Sequence, residues 1–292
     1  MKLITFEHEG NLHAGILNAR AKAMVSGDKA RHAIRMLIEG GEAALASWAA
    51  KIRSGDYQSF DPAEITLKAP IPEPRRDIIC VGKNYHAHAA EFHKSGFDST
   101  GMEATPSHPV IFTKATTSVI GPEDPICAAK DPTATVDYEG ELGVVIGETA
   151  RNIRAGGAFS VIMGYTIIND VTSRELQKQH NQWFIGKGID SFCPMGPYIL
   201  TADELCDVTS AQLTTDVNGE RRQDARLKDL IFDIPTLIET ITATTTLLPG
   251  DIIATGTPAG VGIGFDPPRY LTAGDRVDVT ISGLGTLSNP VQ

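Results

Sequence analysis

Hydrophobic and polar positions alternate in several short stretches of this chain, a pattern typical of half-buried β-strands. The clearest stretch is DYEGELGVVIG, which predicts a strand over 137–147. Its apolar residues, including Leu142 and Val144, fall on one face, and Glu139 and Glu141 fall on the other. Like charges on one face of a strand repel each other. The two glutamates therefore indicate either a bound cation or a solvent-facing edge.

Other stretches predict the remaining elements of a mixed fold. A hairpin and further strands are predicted at 2–17, 77–82, 108–114, 161–170, 196–201, 213–222 and in the tail 250–291. Helices are predicted at 28–52 (with a break at Gly40 and Gly41), 84–96, 172–181 and 233–248. Thr172 or Ser173 is expected to cap the third of these helices, and Asp233 the fourth. The many predicted strands and few predicted helices favour a mostly β fold with peripheral helices (α+β), arranged as a barrel, roll or sandwich.

A proline-bearing stretch, FDPAEITLKAPIPEPRR, follows the first helices at 60–76. It predicts a linker with one short extended segment. We place a domain boundary near residue 70, which gives a small N-terminal α+β domain over 1–70 and a larger domain over 71–292.

Composition narrows the class of protein. The 292 residues are 41% hydrophobic and 21% charged, as in ordinary soluble domains. A net charge of −10 without a basic block makes nucleic acid an unexpected partner. With no secretory signal and no apolar run near the roughly 20 residues that span a bilayer, we expect a cytoplasmic protein without a membrane partner. The cysteines lack a C-x-x-C pair and are expected to be reduced thiols: Cys80, Cys127, Cys193 and Cys206.

Three carboxylates form the first candidate site. Glu139 and Glu141 point the same way on a strand, and Asp170 closes the next strong strand of the sequence. If those strands are neighbours, the three carboxylates converge and offer hard oxygen ligands suited to Mg²⁺ or Mn²⁺. The Glu-x-Glu spacing alone is more often an exposed strand face. Asp170 favours the metal interpretation because it ends an apolar strand.

Helical spacing brings together further polar side chains. His88 and Glu91 are three residues apart, the spacing of a histidine base held by a carboxylate. A polar surface helix is the alternative. Arg174 and Gln177 share the same spacing just beyond the acidic residues, and an arginine is a good partner for a substrate carboxylate.

Lys187, between two glycines, is either an exposed loop lysine or a cation that faces an anionic substrate or enolate.

The stretch ATGTPAGVG at 254–262 is rich in glycine. Such a loop lets backbone N–H groups approach an anion, although it also serves as a plain strand connection. It matches neither the phosphate-binding nor the dinucleotide-binding glycine motif. The chain also lacks the G-x-S-x-G turn of serine hydrolases.

These clusters, in this order, resemble the fumarylacetoacetate hydrolase family. The resemblance covers roughly residues 75–292. It rests on GKNYHAHAAE, FTK, DYEGELGVVIG, GYTIINDVTSRELQ, GKGIDSFCPMGP, VNGERRQ, GDIIATGTPAGVG and GTLSNPV. DSFCPMGP and GFDPPRYLTAGDRVDVTI are most similar to the subgroup with oxaloacetate decarboxylases and acylpyruvate hydrolases.

The resemblance implies a mixed β-sandwich roll, a homodimer and a role in the catabolism of aromatic compounds. It implies Mg²⁺ or Mn²⁺ held by Glu139, Glu141 and Asp170, and a catalytic dyad of His88 and Glu91 on a lid helix. It further implies one active-site lysine and three substrate-contacting residues: Lys187, Arg174, Gln177 and Thr257.

A 2-oxo acid that chelates the metal is the substrate class this resemblance implies. Hydrolysis of the C–C bond of an acylpyruvate or 2,4-dioxo acid is the first hypothesis, with His88 activating water. The second is decarboxylation of oxaloacetate, or keto–enol isomerisation of a related diacid, at the same metal–enolate site. The third is a non-catalytic metal-binding scaffold, against which the intact dyad and lysine argue.

Overall fold

The first part of the chain folds into strands and two helices. The computed structural model describes residues 1–98, 104–205 and 207–292. This part contains β1 (Lys2–His8), β2 (Asn11–Leu17), β3 (Ala21–Ser26), α1 (Ala30–Glu39), α2 (Gly41–Ser54), β4 (Gln58–Phe60) and β5 (Thr66–Lys68). The predicted hairpin and the helix break at Gly40 and Gly41 are confirmed, whereas β3 was not predicted.

The rest of the chain alternates short strands with four further helices among the described residues. The elements are β6 (Ile78–Gly82), α3 (His86–Lys94), β7 (Val110–Lys114), β8 (Val119–Ile120), β9 (Val136–Asp137), β10 (Gly140–Ile146), β11 (Ile162–Asn169), β12 (Thr172–Ser173), α4 (Arg174–Gln179), α5 (Phe184–Lys187), β13 (Cys193–Thr201), β14 (Gln212–Val217), β15 (Glu220–Arg226), α6 (Ile234–Thr244), β16 (Ile252–Ala254), β17 (Arg276–Ile281) and β18 (Gly285–Pro290).

Local sequence signals explain several element boundaries. Asp233 caps α6 by accepting a hydrogen bond from the Thr236 N–H at 2.9 Å, as predicted. Asn218 and Gly219 turn β14 into β15 with positive φ angles of 53° and 78°, which is the backbone that an Asn-Gly hairpin needs. The predicted side-chain cap of α4 is wrong. Ser173 occupies the cap position, but its side chain makes no capping hydrogen bond.

Two sheets pack face to face and enclose the core. The larger sheet runs in the order β4-β3-β2-β1-β13-β11-β10-β16-β6-β7, with β5 beside β1 and β8 beside β13. A four-stranded sheet, β15-β14-β17-β18, packs over β10, β11 and β13. A buried apolar cluster joins residues of both sheets. The mixed α+β fold with large sheets confirms the predicted fold class.

The N-terminal strands extend the larger sheet because β1 pairs antiparallel with β13, placing Lys2 opposite Leu200. Leu3 of β1 and Ile199 of β13 also lie in one buried cluster. A division into 1–70 and 71–292 stays a prediction. Among the described residues, no helix combines the length and the apolar content that a membrane crossing requires.

The register of β10 and β11 positions the acidic residues. The strands are antiparallel neighbours, and Gly140 at the start of β10 lies opposite Asn169 at the end of β11. The residues that flank this pair, Glu139 and Asp170, are therefore adjacent, and the Asp170 N–H donates to the Glu139 carbonyl oxygen at 2.8 Å. All residues of β10 are buried.

Candidate active site

The three predicted metal-ligating carboxylates lie together inside the protein. Carboxylate oxygens of Glu139, Glu141 and Asp170 lie within 4.8 Å of one another, and all three residues are buried. Glu139 precedes β10 and Glu141 belongs to it. Burial rules out the solvent-facing edge that the sequence left open.

Cationic side chains surround two of these carboxylates. Lys187 Nζ lies 2.8 Å from Glu139 Oε2 and 2.7 Å from Asp170 Oδ2. Lys114 Nζ lies 2.7 Å from Asp170 Oδ1, and Arg174 Nη1 lies 2.7 Å from Glu139 Oε1. Lys187 is thus a buried site residue and not an exposed loop lysine.

The electrostatic environment separates Glu139 from Glu141. Burial alone would raise the pKa of Glu139, but Lys187 and Arg174 lower it to about 2. Burial raises the pKa of Glu141 well above its ordinary value, and the neighbouring charges of Asp170 and Glu139 raise it further. Glu141 Oε2 accepts a hydrogen bond from the Gly256 N–H at 2.8 Å. Glu141 is therefore the carboxylate whose charge is least compensated.

A divalent cation fits this donor set. When all are ionised, as ion binding requires, four buried carboxylates face three buried cationic side chains, which leaves one excess negative charge: Asp137, Glu139, Glu141 and Asp170 against Lys114, Arg174 and Lys187. Clustered carboxylate oxygens are the ligands that Mg²⁺ and Mn²⁺ prefer. An ion with two positive charges would leave the site with one net positive charge, which suits an anionic substrate.

The predicted histidine–glutamate pair forms on α3. His88 Nδ1 lies 3.3 Å from Glu91 Oε2, and His88 is buried. The Gly260 N–H donates to both oxygens of Glu91, at 3.0 Å and 3.2 Å. A Cβ atom at Gly264 would lie 1.9 Å from Glu91 Oε1, so only glycine leaves room for this carboxylate. Glu91 can therefore orient the His88 ring and support its positive charge.

One small cavity brings the predicted residues together. Lining side chains come from the acidic site and from the region of α3: Val81, Lys83, His88, Phe92, Glu139, Glu141, Arg174, Gln177, Trp183, Lys187 and Thr257. Arg174 Nη1 donates to Gln177 Oε1 at 3.3 Å, and Gln223 Nε2 donates to Thr257 Oγ1 at 2.8 Å. Two predicted residues are absent from this lining: Glu91, which contacts His88, and Asp170, which contacts Lys187.

The glycine-rich loop binds anions that belong to the protein itself. Besides the contacts to Glu141 and Glu91, the N–H groups of Gly262 and Ile263 donate to Asp137 at 2.6 Å and 3.0 Å. Asp137 also accepts from Arg174 Nε at 2.9 Å. The loop is thus a built part of the site and not a plain strand connection.

Sequence reasoning missed three buried residues of this region, namely Lys83, Lys114 and Asp137. Lys114 ends the apolar strand VIFTK, just as Asp170 ends YTIIND, so the same signal, a charged residue at the end of an apolar strand, was present.

The cysteines that the structure describes, Cys80, Cys127 and Cys193, are free thiols. Cys206 lies outside the described residues.

The model of the fumarylacetoacetate (FAA) hydrolase C-terminal domain matches residues 77–292. The chain belongs to the fumarylacetoacetate hydrolase family. The family predicted from the motifs is confirmed, and this protein is an enzyme of that superfamily.

Named relatives within the fumarylacetoacetate hydrolase family differ in their chemistry. Oxaloacetate tautomerase YisK of Bacillus subtilis is 46% identical over 250 residues, which cover 85% of this chain and 80% of that protein. A fumarylacetoacetate hydrolase structure from Exiguobacterium antarcticum is 38% identical with a TM-score of 0.83 and covers 100% of this chain and 99% of that one. Maleylpyruvate hydrolase from Sphingobium sp. SYK-6, solved with manganese(II) and pyruvate, is 30% identical with a TM-score of 0.78 and covers 100% and 98%.

Replacing Glu139 tests the acidic site of this fumarylacetoacetate hydrolase family member. We expect the Glu139→Ala variant to lose the thermal stabilisation that Mn²⁺ gives the wild-type protein, because one of three clustered ligands is gone. The measurement is the Mn²⁺-induced rise in melting temperature by differential scanning fluorimetry. Glu148→Ala, at an exposed glutamate beyond the same strand, is the control and should keep the full rise. An unchanged rise in Glu139→Ala would exclude Glu139 as a ligand.

The affinity for the ion is expected to rise with pH. Because the pKa of Glu141 is raised in the ion-free protein, its folded form holds a proton that an incoming ion must displace. The dissociation constant for Mn²⁺ should therefore fall as pH increases above the ordinary pKa of a glutamate carboxyl, by up to about tenfold per pH unit. Calorimetric titrations in buffers of different ionisation enthalpy measure the affinity and the released proton together. A pH-independent affinity without proton release would contradict this expectation.

Proposed function

We propose that this protein catalyses the divalent-metal-dependent keto–enol interconversion of a small 2-oxo acid of the oxaloacetate type. The supporting observation is a small cavity lined by Glu139, Glu141, Lys187 and His88. Asp170 completes the carboxylate triad and Glu91 contacts His88 from outside the lining. The similarity to an oxaloacetate tautomerase agrees with this choice of substrate. Mg²⁺ or Mn²⁺ is the ion we propose.

Different residues carry out the separate steps of the proposed proton transfer. An ion held by Glu139, Glu141 and Asp170 would supply Lewis acidity that favours the enolate form of the substrate. His88, oriented by Glu91, is the base that takes a proton from the carbon next to the oxo group and returns it in the reverse direction. Enolisation is completed by protonation on oxygen. After product leaves, His88 releases the proton it took to solvent, and the proton donor regains one from solvent.

Lys187 is the proposed proton donor to the enolate oxygen. Burial alone would lower the pKa of Lys187, but Asp170 and Glu139 raise it above its ordinary value. The side chain therefore stays protonated and presents positive charge to the cavity. Arg174, Gln177 and Thr257 are the proposed contacts to the substrate carboxylate, since they line the same cavity.

Hydrolysis of an acylpyruvate is the second candidate. The observation that favours it is the same dyad, because a histidine 3.3 Å from a carboxylate can also deprotonate water. Hydroxide would add to the distal carbonyl, the C–C bond would break, and its electron pair would leave as the enolate of pyruvate. Decarboxylation of oxaloacetate needs the same enolate but no attacking water.

A homodimer, a cytoplasmic location and a role in aromatic catabolism stay predictions.

Parallel assays separate these reactions. Oxaloacetate, acetylpyruvate and fumarylpyruvate are each supplied with Mg²⁺, Mn²⁺ or EDTA. We expect metal-dependent loss of the ultraviolet absorbance of enol-oxaloacetate without release of CO₂. Two acid products from acetylpyruvate or fumarylpyruvate would favour the hydrolase, CO₂ would favour the decarboxylase, and no reaction with any substrate would favour a scaffold.

His88→Ala tests the dyad. We expect turnover to fall by a factor of about 10² to about 10⁴, the usual contribution of a general base, while the Mn²⁺-induced rise in melting temperature stays as in wild type. His86→Ala is the control, because His86 is exposed on the same helix and should leave turnover unchanged. Normal turnover in His88→Ala would mean that another group is the base.

A further inference from the structure

Lys114 is a buried lysine that ends β7 and contacts the acidic site. Its exposed fraction is 0%, and it is absent from the lining of the cavity. Its Nζ atom donates hydrogen bonds to two main-chain carbonyl oxygens, that of Val171 at 2.9 Å and that of Lys187. The same Nζ atom lies 2.7 Å from Asp170 Oδ1. Lys114 can therefore act on a ligand in the cavity only through other residues.

The ammonium group of Lys114 is fully engaged by the protein. It has three donor hydrogens, and three protein oxygen atoms surround it. These oxygens belong to two segments of the chain that meet at the site, namely the residues after β11 and the C-terminal end of α5. Buried ion pairs add little net stability, because the cost of desolvation offsets the attraction. Stability of the fold alone therefore does not account for a buried lysine at this place.

Two different lysines contact the two carboxylate oxygens of Asp170. Oδ1 contacts Lys114, and Oδ2 lies 2.7 Å from Lys187 Nζ. That Nζ atom also lies 2.8 Å from Glu139 Oε2, so Oδ2 is the oxygen of Asp170 that is turned toward the other acidic residues. Lys187 lines the cavity and Lys114 does not. The carboxylate of Asp170 thus presents one oxygen to the acidic site and the other to Lys114.

The number of oxygens that a carboxylate offers influences which cation fits. Mg²⁺ requires nearly octahedral coordination with short bonds of about 2.0 to about 2.1 Å, which suits one oxygen from each carboxylate. Ca²⁺ is larger, takes about six to about eight oxygens and readily accepts both oxygens of one carboxylate. The positive charge of Lys114 beside Oδ1 repels a cation from that oxygen. Asp170 is therefore suited to bind an ion through Oδ2 alone.

We infer that Lys114 limits Asp170 to one metal-binding oxygen, Oδ2, and so makes the acidic site favour a small divalent cation, Mg²⁺ or Mn²⁺, relative to Ca²⁺. This inference rests on the proposed function for the presence of a divalent ion at the site. Lys114 is a positioning residue, because it acts on the ion through Asp170 and holds the main chain of the proposed proton donor, Lys187.

Ion binding to a methionine variant tests this inference. Lys114→Met keeps a long side chain but removes its charge and its donors. Mg²⁺ and Ca²⁺ have the same charge, so the loss of the lysine charge changes both affinities alike, whereas only Ca²⁺ gains from a second oxygen of Asp170. The dissociation constant of Ca²⁺ divided by that of Mg²⁺, measured by calorimetry, should fall by about tenfold, equivalent to about 1.4 kcal/mol. An unchanged ratio would overturn the inference.

Two further variants separate ion selection from folding. Lys130→Met removes an exposed lysine and should keep the wild-type ratio. Lys114→Arg keeps a cationic donor beside Asp170 and should keep most of the wild-type ratio, even where its melting temperature without ions falls as far as that of Lys114→Met. A ratio that simply follows the melting temperature across the variants would indicate a purely structural role and overturn the inference.

The wild-type protein provides a test that does not depend on the folding of a variant. A crystal structure of the protein soaked with Mn²⁺ should show Asp170 bound to the ion through Oδ2 alone, with Lys114 Nζ still beside Oδ1. Binding of the ion through Oδ1, or through both oxygens, would overturn the inference.

Ion selection and catalysis can fail independently. If Lys114→Met shows the expected fall in the ratio but wild-type protein does not interconvert the forms of oxaloacetate, the proposed reaction fails and the role of Lys114 stands. If wild-type protein interconverts them and Lys114→Met leaves the ratio unchanged, the reverse holds. If wild-type protein binds none of the three ions, both proposals fail.

Discussion

The whole site depends on how this protein compensates the negative charge of carboxylates that it removes from water. Burying an ionised carboxylate costs several kcal/mol unless charges and hydrogen bonds replace its hydration. Lysine, arginine and backbone N–H groups do so for most of the cluster. The compensation is incomplete at Glu141, where the raised pKa reports the remaining deficit. That deficit makes a divalent cation the natural complement of the site.

Much of this arrangement could be predicted from short-range patterns. Alternation placed Glu139 and Glu141 on one side of the chain, and an apolar run ending in Asp170 placed a carboxylate at the end of the adjacent strand. Helical spacing alone brought His88 and Glu91 together. These signals succeed because strand and helix periodicities fix side-chain direction over a few residues.

The rest depends on contacts between residues far apart in sequence. Nothing local indicates that Lys114 meets Asp170, or that β1 joins β13 and so extends the sheet with N-terminal strands. The ion pair of Lys83 with Asp98 was equally hidden, because Asp98 follows a helix whose orientation is fixed by tertiary packing. The predicted cap of α4 was wrong for a different, local reason. The Thr172 hydroxyl donates to the Asp170 carbonyl oxygen, as local competition between side chain and backbone allows.

The loop over 256–263 places its amide groups on three different carboxylates of the site. Gly256 binds Glu141, Gly260 binds Glu91, and Gly262 binds Asp137. One short segment of main chain thus contacts α3 through Glu91, β10 through Glu141, and Arg174 through its ion-pair partner Asp137. The relative placement of these three carboxylates therefore depends on one segment of main chain, whose N–H donors persist through any substitution except one to proline.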